Sequence, residues 1–201
     1  MPNLLTVSLG LSIASALAVL WIDLPLARFF YRTGSSRLID RFLASSSPIL
    51  IHAIPDLGLI VAVFVLAMRD SAKGLTLFLR ALVSGACAYA LTELVLKPLF
   101  GRTDPHDWLF HHHAAFRFFS PIGANTSFPS GHAALATGAL LALALLQHRR
   151  QALPVVLIVL FNAAMVVLNV HFLGDVLAGS LVGYLVARLF ALQAEWLMGR
   201  H

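Results

Sequence analysis

The stretch from Ser127 to His132 joins turn-forming and helix-capping residues to a histidine that can do acid–base chemistry. Pro129 suits the position before or at the start of a helix, and Ser130 is a favourable N-cap residue. Gly131 lets a ligand approach the backbone closely, and the free N–H groups of a helix start attract anions. His132 would then stand beside such an anion. The same stretch also fits an ordinary capped helix with an incidental histidine.

A second histidine, His171, is followed four residues later by the carboxylate Asp175. In a helix or helix-like turn this spacing places both side chains on one face. A carboxylate that binds one imidazole nitrogen fixes the tautomer and leaves the other nitrogen basic or nucleophilic. The alternative is that Asp175 caps a helix while His171 reaches toward the membrane interface.

Two cations, Lys97 and Arg102, flank a turn earlier in the chain. Lysine is a point charge, whereas the planar fork of arginine matches phosphate oxygens. Positive charge beside a helix end is the ordinary explanation. Combined with the two histidines and the aspartate, the cations complete the parts for phosphoryl transfer, with one nucleophile and one general acid.

The composition predicts that membrane helices position these residues. Hydrophobic residues make up 59% of the 201-residue chain and charged residues 11%, against about 45–50% and about 25% in soluble domains. We expect one all-α domain, residues 1–201, forming a bundle of six membrane-spanning helices. The predicted spans are Leu4–Ile22, Pro48–Met68, Leu75–Leu96, Gly131–Leu146, Ala152–Val170 and Leu173–Leu192.

The region between the first two spans is expected to leave the membrane. Asp23 and Pro25 should end the first helix, which we interpret as a retained helix rather than a signal peptide because it lacks a basic leader. Arginines alternate with aromatic residues over Leu24–Ser47, which suits a helix lying in the interface. A plain connecting loop fits the same segment.

Six spans bring the candidate residues to one membrane face. Lys97 ends the third span, His132 begins the fourth, and His171 and Asp175 lie between the fifth and the sixth. Ionisable residues beside apolar spans are costly and usually functional. Separately, the small residues of the sixth span predict close helix packing; they are Gly174, Gly179 and Gly183.

Composition also excludes several classes of function. The net charge of +5 is read as a topology signal, because no basic run with interleaved aromatics indicates nucleic-acid binding. Cys87 is the single cysteine, so an intramolecular disulfide is excluded. Consecutive histidines, His111–His113, do not share a helix face, so no metal site is predicted. The oligomeric state cannot be read from the sequence.

Lysine and arginine are spread almost evenly over the two predicted faces. Lys97, Arg102 and Arg117 are set aside as candidate site residues. The remaining positive charges then favour the membrane face away from the site as the inner one. We therefore expect the site to face outward from a bacterial inner membrane.

The chain resembles the type 2 phosphatidic acid phosphatase (PAP2) family, whose superfamily includes lipid phosphatases and resembles vanadium-dependent haloperoxidases. Three motifs in order carry the resemblance: Lys97…Pro105, Pro129-Ser130-Gly131-His132 and His171-x-x-x-Asp175. The resemblance covers nearly the whole chain, and it implies a phosphorylated membrane lipid as substrate. Phosphatidic acid, phosphatidylglycerophosphate, a polyprenyl (di)phosphate and a lipid A phosphate are the candidates.

The resemblance also implies a role for each matching residue. His171 would attack phosphorus and form a phosphohistidine, and Asp175 would orient it. His132 would protonate the leaving group, while Lys97 and the Ser130–Gly131 turn would hold phosphoryl oxygens. This chemistry needs no metal or other cofactor.

The sequence departs from the family pattern at two phosphate-binding arginines, which are replaced here by Asp104 and Met165. A hydrogen bond to a charged group contributes about 1.5–3 kcal/mol, so the loss of two should weaken phosphate binding. Arg102 is the first candidate replacement and Arg117 the second. Asp104 could pair with Arg102 or contact a polar headgroup. The alternative function is a catalytically impaired member that acts in lipid binding, transport or partner interaction.

Overall fold

A computed structural model describes residues 3–34, 48–69, 72–111, 116–119, 127–147 and 152–198. Apart from one isolated β-bridge between Arg102 and Phe116, the regular structure of this part is helical, which confirms the all-α fold class. The helices are α1 (Leu4–Leu17), α2 (Asp23–Thr33), α3 (Pro48–Ala67), α4 (Gly74–Leu91), α5 (Lys97–Phe100), α6 (Pro105–His111), α7 (Gly131–Leu146), α8 (Ala152–Val167) and α9 (Leu173–Met198).

The first helix does not stop at Asp23 and Pro25, so that prediction was wrong. α1 continues through a π-helical turn, Ala18–Ile22, directly into α2. Asp23 can remain inside the bundle because its carboxylate binds Arg102 at 2.8 Å. Pro25 lies in the first turn after the π-helical segment, where the hydrogen-bond register already changes. Up to Thr33 the predicted interfacial segment therefore belongs to the long helix, and residues 35–47 lie outside the described part.

Within the described residues, three helical stretches are long and apolar enough to cross a membrane. They are Leu4–Thr33, Gly74–Phe100, which includes a π-helical turn at Thr92–Leu96, and Leu173–Gln193. Shorter apolar helices are Ile54–Ala67, Gly131–Leu146 and Ala152–Val167. These lengths and compositions are those of an integral membrane protein, while the count of six spans stays a prediction.

α7 is the central helix of the bundle, with α4 and α9 packed against it. It is rich in alanine and glycine and is almost entirely buried. Small side chains let neighbouring helices approach closely where lipid surrounds the bundle. On α9, a Cβ atom added at Gly183 would lie 2.6 Å from the Ala134 carbonyl oxygen and 2.7 Å from the Gly138 nitrogen. The glycines therefore set the distance between α7 and α9.

A Gly183→Ala substitution should destabilise the protein by about 1–3 kcal/mol, because the added methyl group meets backbone atoms of α7 that cannot move away. The matched control is Gly58→Ala, since a Cβ atom at Gly58 meets nothing within 4 Å. The apparent unfolding temperature in detergent measures both. Equal unfolding temperatures for the two variants would contradict the proposed packing.

Candidate active site

The N-terminus of α7 is built by the Ser130 cap. Ser130 has extended backbone geometry (φ −71°, ψ 117°), and its Oγ accepts a hydrogen bond from the Ala133 N–H at 3.2 Å. The Ser130 N–H donates to the Asp175 carbonyl oxygen at 3.0 Å. A Cβ atom at Gly179 would overlap the Ser130 carbonyl oxygen. The start of α9 therefore packs directly against the cap of α7.

The structure brings the two candidate histidines together. Their ring centroids are 5.7 Å apart with an interplanar angle of 53°. His132 lies in the first turn of α7, and His171 lies in the turn between α8 and α9. Both side chains are buried. Two imidazoles at this separation can flank one phosphorus-centred group.

The backbone before His171 is fixed by two sets of contacts. The carbonyl oxygen of Met165 accepts hydrogen bonds from the N–H groups of Val170 at 2.9 Å and His171 at 3.2 Å. Asn169 adopts a left-handed conformation (φ 54°), which asparagine tolerates better than most residues. Its side-chain amide donates to the Ala27 carbonyl oxygen of α2 at 3.0 Å. The long first helix thus supports the turn that carries His171.

Asp175 caps the start of α9 and is connected to His171 through the Ser127 hydroxyl. Its Oδ2 accepts from the backbone N–H of Phe172 at 3.1 Å and from Ser127 Oγ at 2.6 Å. The same Ser127 Oγ lies 3.0 Å from His171 Nδ1. The serine hydroxyl therefore connects the carboxylate to the imidazole. The sequence assigned Ser127 no role, and its only signal was its place at the start of the motif.

Arg102 lies behind Asp175 and bridges two buried carboxylates. Its Nη1 is 2.6 Å from Asp175 Oδ1 and 2.8 Å from Asp23 Oδ2. Its guanidinium carbon stands 4.3 Å from the Phe172 ring centre and 5.2 Å from that of Phe116. The sequence left open whether Arg102 pairs with Asp104 or binds phosphate, and these contacts direct its Nη1 to Asp23 and Asp175.

Lys97 is held at the N-terminus of α7 through Glu93. The ammonium group lies 2.6 Å from Glu93 Oε1, as the i, i+4 spacing predicts. A Cβ atom at Gly131 would overlap that same Glu93 oxygen, so the ion pair packs against the capping turn. On α3, Asp56 Oδ2 lies 3.8 Å from His132 Nε2. The sequence gave Asp56 no function.

The two departures from the family pattern both have structural roles. Asp104 Oδ1 accepts a hydrogen bond from the Asp107 N–H at 2.7 Å and so caps α6. Met165 is buried in an apolar cluster that includes Ala133 and Val176.

For Arg117 the structure gives a hydrogen bond from its backbone N–H to the Gly101 carbonyl oxygen at 2.6 Å. The side chains of His111–His113 lie outside the described part.

A protein-family model described as the PAP2 superfamily matches residues 75–198. The chain belongs to the PAP2 superfamily. This confirms the resemblance and assigns the chain, at family level, to the phosphatases that hydrolyse phosphoric esters. The matched segment contains Lys97, both histidines and Asp175, whereas Asp23 and Asp56 precede it.

Among solved structures, this PAP2 protein is similar to the first transmembrane PAP2 type phosphatidylglycerolphosphate phosphatase from Bacillus subtilis. The identity is 23%, the match covers 97% of each chain, and the TM-score is 0.44. No curated protein matches the chain.

The cap formed by Asp104 gives a test of its role in this PAP2 protein. Asp104→Ala should destabilise α6 by about 0.5–2 kcal/mol, whereas Asp104→Asn should be close to neutral because asparagine caps equally well. Thermal unfolding and phosphate release of both variants provide the measurement. Loss of activity in Asp104→Asn at unchanged stability would show that the charge, rather than the cap, is needed.

Proposed function

We propose that this protein is an integral membrane lipid phosphatase that works through a phosphohistidine at His171. The observation that carries the proposal is the pair of buried imidazoles, His132 and His171, 5.7 Å apart at the capped start of α7. One of them is linked to a carboxylate through Ser127. Such an arrangement suits a nucleophile on one side of phosphorus and a proton donor on the other.

In the first step, the Nε2 lone pair of His171 forms a bond to phosphorus. The bond between phosphorus and the leaving oxygen breaks, and its electron pair stays on that oxygen. Protonated His132 donates its proton to the same oxygen, so the lipid alcohol or lipid phosphate leaves without a full extra negative charge.

In the second step, water attacks the phosphohistidine. His132, now neutral, takes a proton from the water as the new phosphorus–oxygen bond forms. The nitrogen–phosphorus bond breaks, its electron pair returns to His171 Nε2, and phosphate is released. Each histidine is then restored to its starting state, and no other group has gained or lost a proton.

Phosphate binding needs more positive charge than the nearby lysine and arginine provide. Among the described residues, the ion pairs around the imidazoles join two cations to four carboxylates: Lys97, Arg102, Asp23, Asp56, Glu93 and Asp175. We assign the remaining attraction to the imidazolium form of His132 and to the Gly131 N–H at the start of α7, where the helix dipole favours an anion. The Ser130 N–H already donates to the Asp175 carbonyl oxygen. Lys97 supplies a point charge to the phosphoryl oxygens from the same turn.

The position of these groups supports a lipid substrate. The ends of α5 and the starts of α7 and α9 form one end of an apolar helical bundle, so a phosphorylated headgroup can reach the histidines while its tail remains in the bilayer. The substrates to be compared are phosphatidic acid, phosphatidylglycerophosphate, a polyprenyl (di)phosphate and a lipid A phosphate.

Purified protein should release phosphate from at least one lipid of this panel, and His171→Asn should reduce the rate to background because the nucleophile is lost. Inorganic phosphate release in detergent micelles is the measurement. Ser84→Ala is the matched control, since it removes a buried hydrogen bond to the Gly138 carbonyl oxygen, which belongs to neither histidine network. Equal turnover by wild type and His171→Asn would refute the mechanism.

A second function, lipid binding without catalysis, is favoured by one set of observations. Asp104 and Met165 replace arginines, and Arg102 is bound by two carboxylates. Vanadate, which mimics the transferring phosphoryl group, separates the two functions in the same preparation. Stabilisation of the wild type by vanadate, lost in His171→Asn, supports the enzyme. No response to vanadate, together with no turnover, supports the second function.

We also propose that the site faces outward from a bacterial inner membrane, because the positive charges outside the site favour the opposite face as the inner one. Phe119, 83% exposed, lies on the site side, and Arg69 lies at the other end of the bundle. In a Cys87→Ser background, Phe119→Cys should react with an impermeant maleimide in intact cells, and Arg69→Cys should react only after permeabilisation. The reverse pattern would place the site inside.

A further inference from the structure

We propose that Ser127 and Asp23 are positioning residues that hold His171 in the tautomer with a proton on Nδ1 and none on Nε2. This proposal rests on the proposed function for its catalytic consequence, but the histidine geometry can be tested without turnover. It concerns a buried chain of five side chains drawn from distant parts of the sequence: Asp23, Arg102, Asp175, Ser127 and His171.

The direction of the hydrogen bonds follows from the single proton of the serine hydroxyl. Asp175 also accepts from Arg102 and from a backbone N–H, so it acts as an acceptor on every side. Ser127 Oγ therefore donates to Asp175 Oδ2 at 2.6 Å. Having used its proton, the hydroxyl can only accept at its 3.0 Å contact with His171 Nδ1. Nδ1 must then carry a proton, which leaves Nε2 as the nucleophile.

Asp23 contacts His171 only through other residues of the chain: it binds Arg102, which in turn binds Asp175. Its Oδ2 binds the Arg102 Nη1 at 2.8 Å, and its Oδ1 accepts from the Gly174 N–H at 2.9 Å. A Cβ atom at Gly174 would lie 2.8 Å from the Asp23 carboxylate, so the contact is close enough to exclude a side chain there. Asp23 thus fixes both the guanidinium and the backbone beside Asp175.

The charges in this chain suit a histidine that becomes positive during the reaction. One guanidinium faces two carboxylates, which leaves one negative charge in excess. When His171 bonds to phosphorus, its ring acquires a positive charge, and Ser127 transmits the interaction with Asp175 to that ring. Fixed dipoles and charges that meet a developing charge act without reorganisation at the moment of reaction.

Ser127→Ala and Asp23→Asn should each lower kcat by about 10- to 100-fold, the range found for hydrogen-bond partners that orient metal-ligating histidines, with KM changed by less than about twofold. Ser127→Thr, which keeps the hydroxyl, should restore most of the rate. The matched controls are Ser15→Ala, which removes the nearby bond to the Gly174 carbonyl, and Ser84→Ala. Both should stay within about twofold of wild type.

The decisive measurement is the ¹⁵N spectrum of labelled histidines, with the His171 signals identified by subtracting the His171→Asn spectrum. In wild type, neutral His171 should show a protonated Nδ1 and an unprotonated Nε2, and Ser127→Ala should lose this preference. Retention of the same tautomer in Ser127→Ala, or a proton on Nε2 in wild type, would overturn the proposal. If His171→Asn keeps full turnover, the proposed function fails, while the spectra still decide the positioning role.

Discussion

The ion pairs of Arg102 with Asp23 and Asp175 are the constraint on which the active end of the bundle depends. A buried charge is costly unless it is paired and hydrogen-bonded. All three side chains are almost completely buried, so none of them can lose its partners without a large penalty. Because they come from α2, from the segment after α5 and from α9, satisfying one arginine forces these three parts of the chain together.

The same ion pairs help to place the two histidine-bearing turns beside each other. The glycines of α9 pack directly against backbone atoms of α7. The Ser130 N–H also donates a hydrogen bond to the Asp175 carbonyl oxygen. The capped turn of α7 and the histidine turn before α9 are then adjacent. His132 and His171 face each other as a consequence of helix packing, without requiring a long ordered loop to carry either of them.

Helix positions could be predicted from the sequence where the signal is local. Gly131–Leu146 was predicted with its observed bounds, because a Ser130 cap and an apolar run mark its start. The predicted helix end at Asp23 was wrong, because a carboxylate two residues before a proline resembles a helix end. Its partner Arg102 lies 79 residues away along the chain, and no periodicity reports such a contact.

For the candidate site, the motif residues could be found, but their partners could not. Residue type and spacing identify a candidate helix cap, catalytic histidine or carboxylate. They do not show which side chain contacts that residue in the folded protein. Ser127 and Asp56 therefore had no predicted function, and the ion pairs of Arg102 with Asp23 and Asp175 were not predicted. Asp104 and Met165 were recognised as departures, but their roles as cap and core residue needed coordinates.

The most direct test of the phosphohistidine mechanism is to trap the phosphorylated enzyme and locate its phosphoryl group. In His132→Ala the second step lacks its base, so a substrate with a good leaving group should accumulate an acid-labile phosphohistidine. Phosphorus-31 spectra of the denatured protein distinguish the two ring nitrogens, and mass spectrometry identifies the residue. We predict phosphate on Nε2 of His171; phosphate on Nδ1, on another residue, or on none during turnover would contradict the phosphohistidine mechanism.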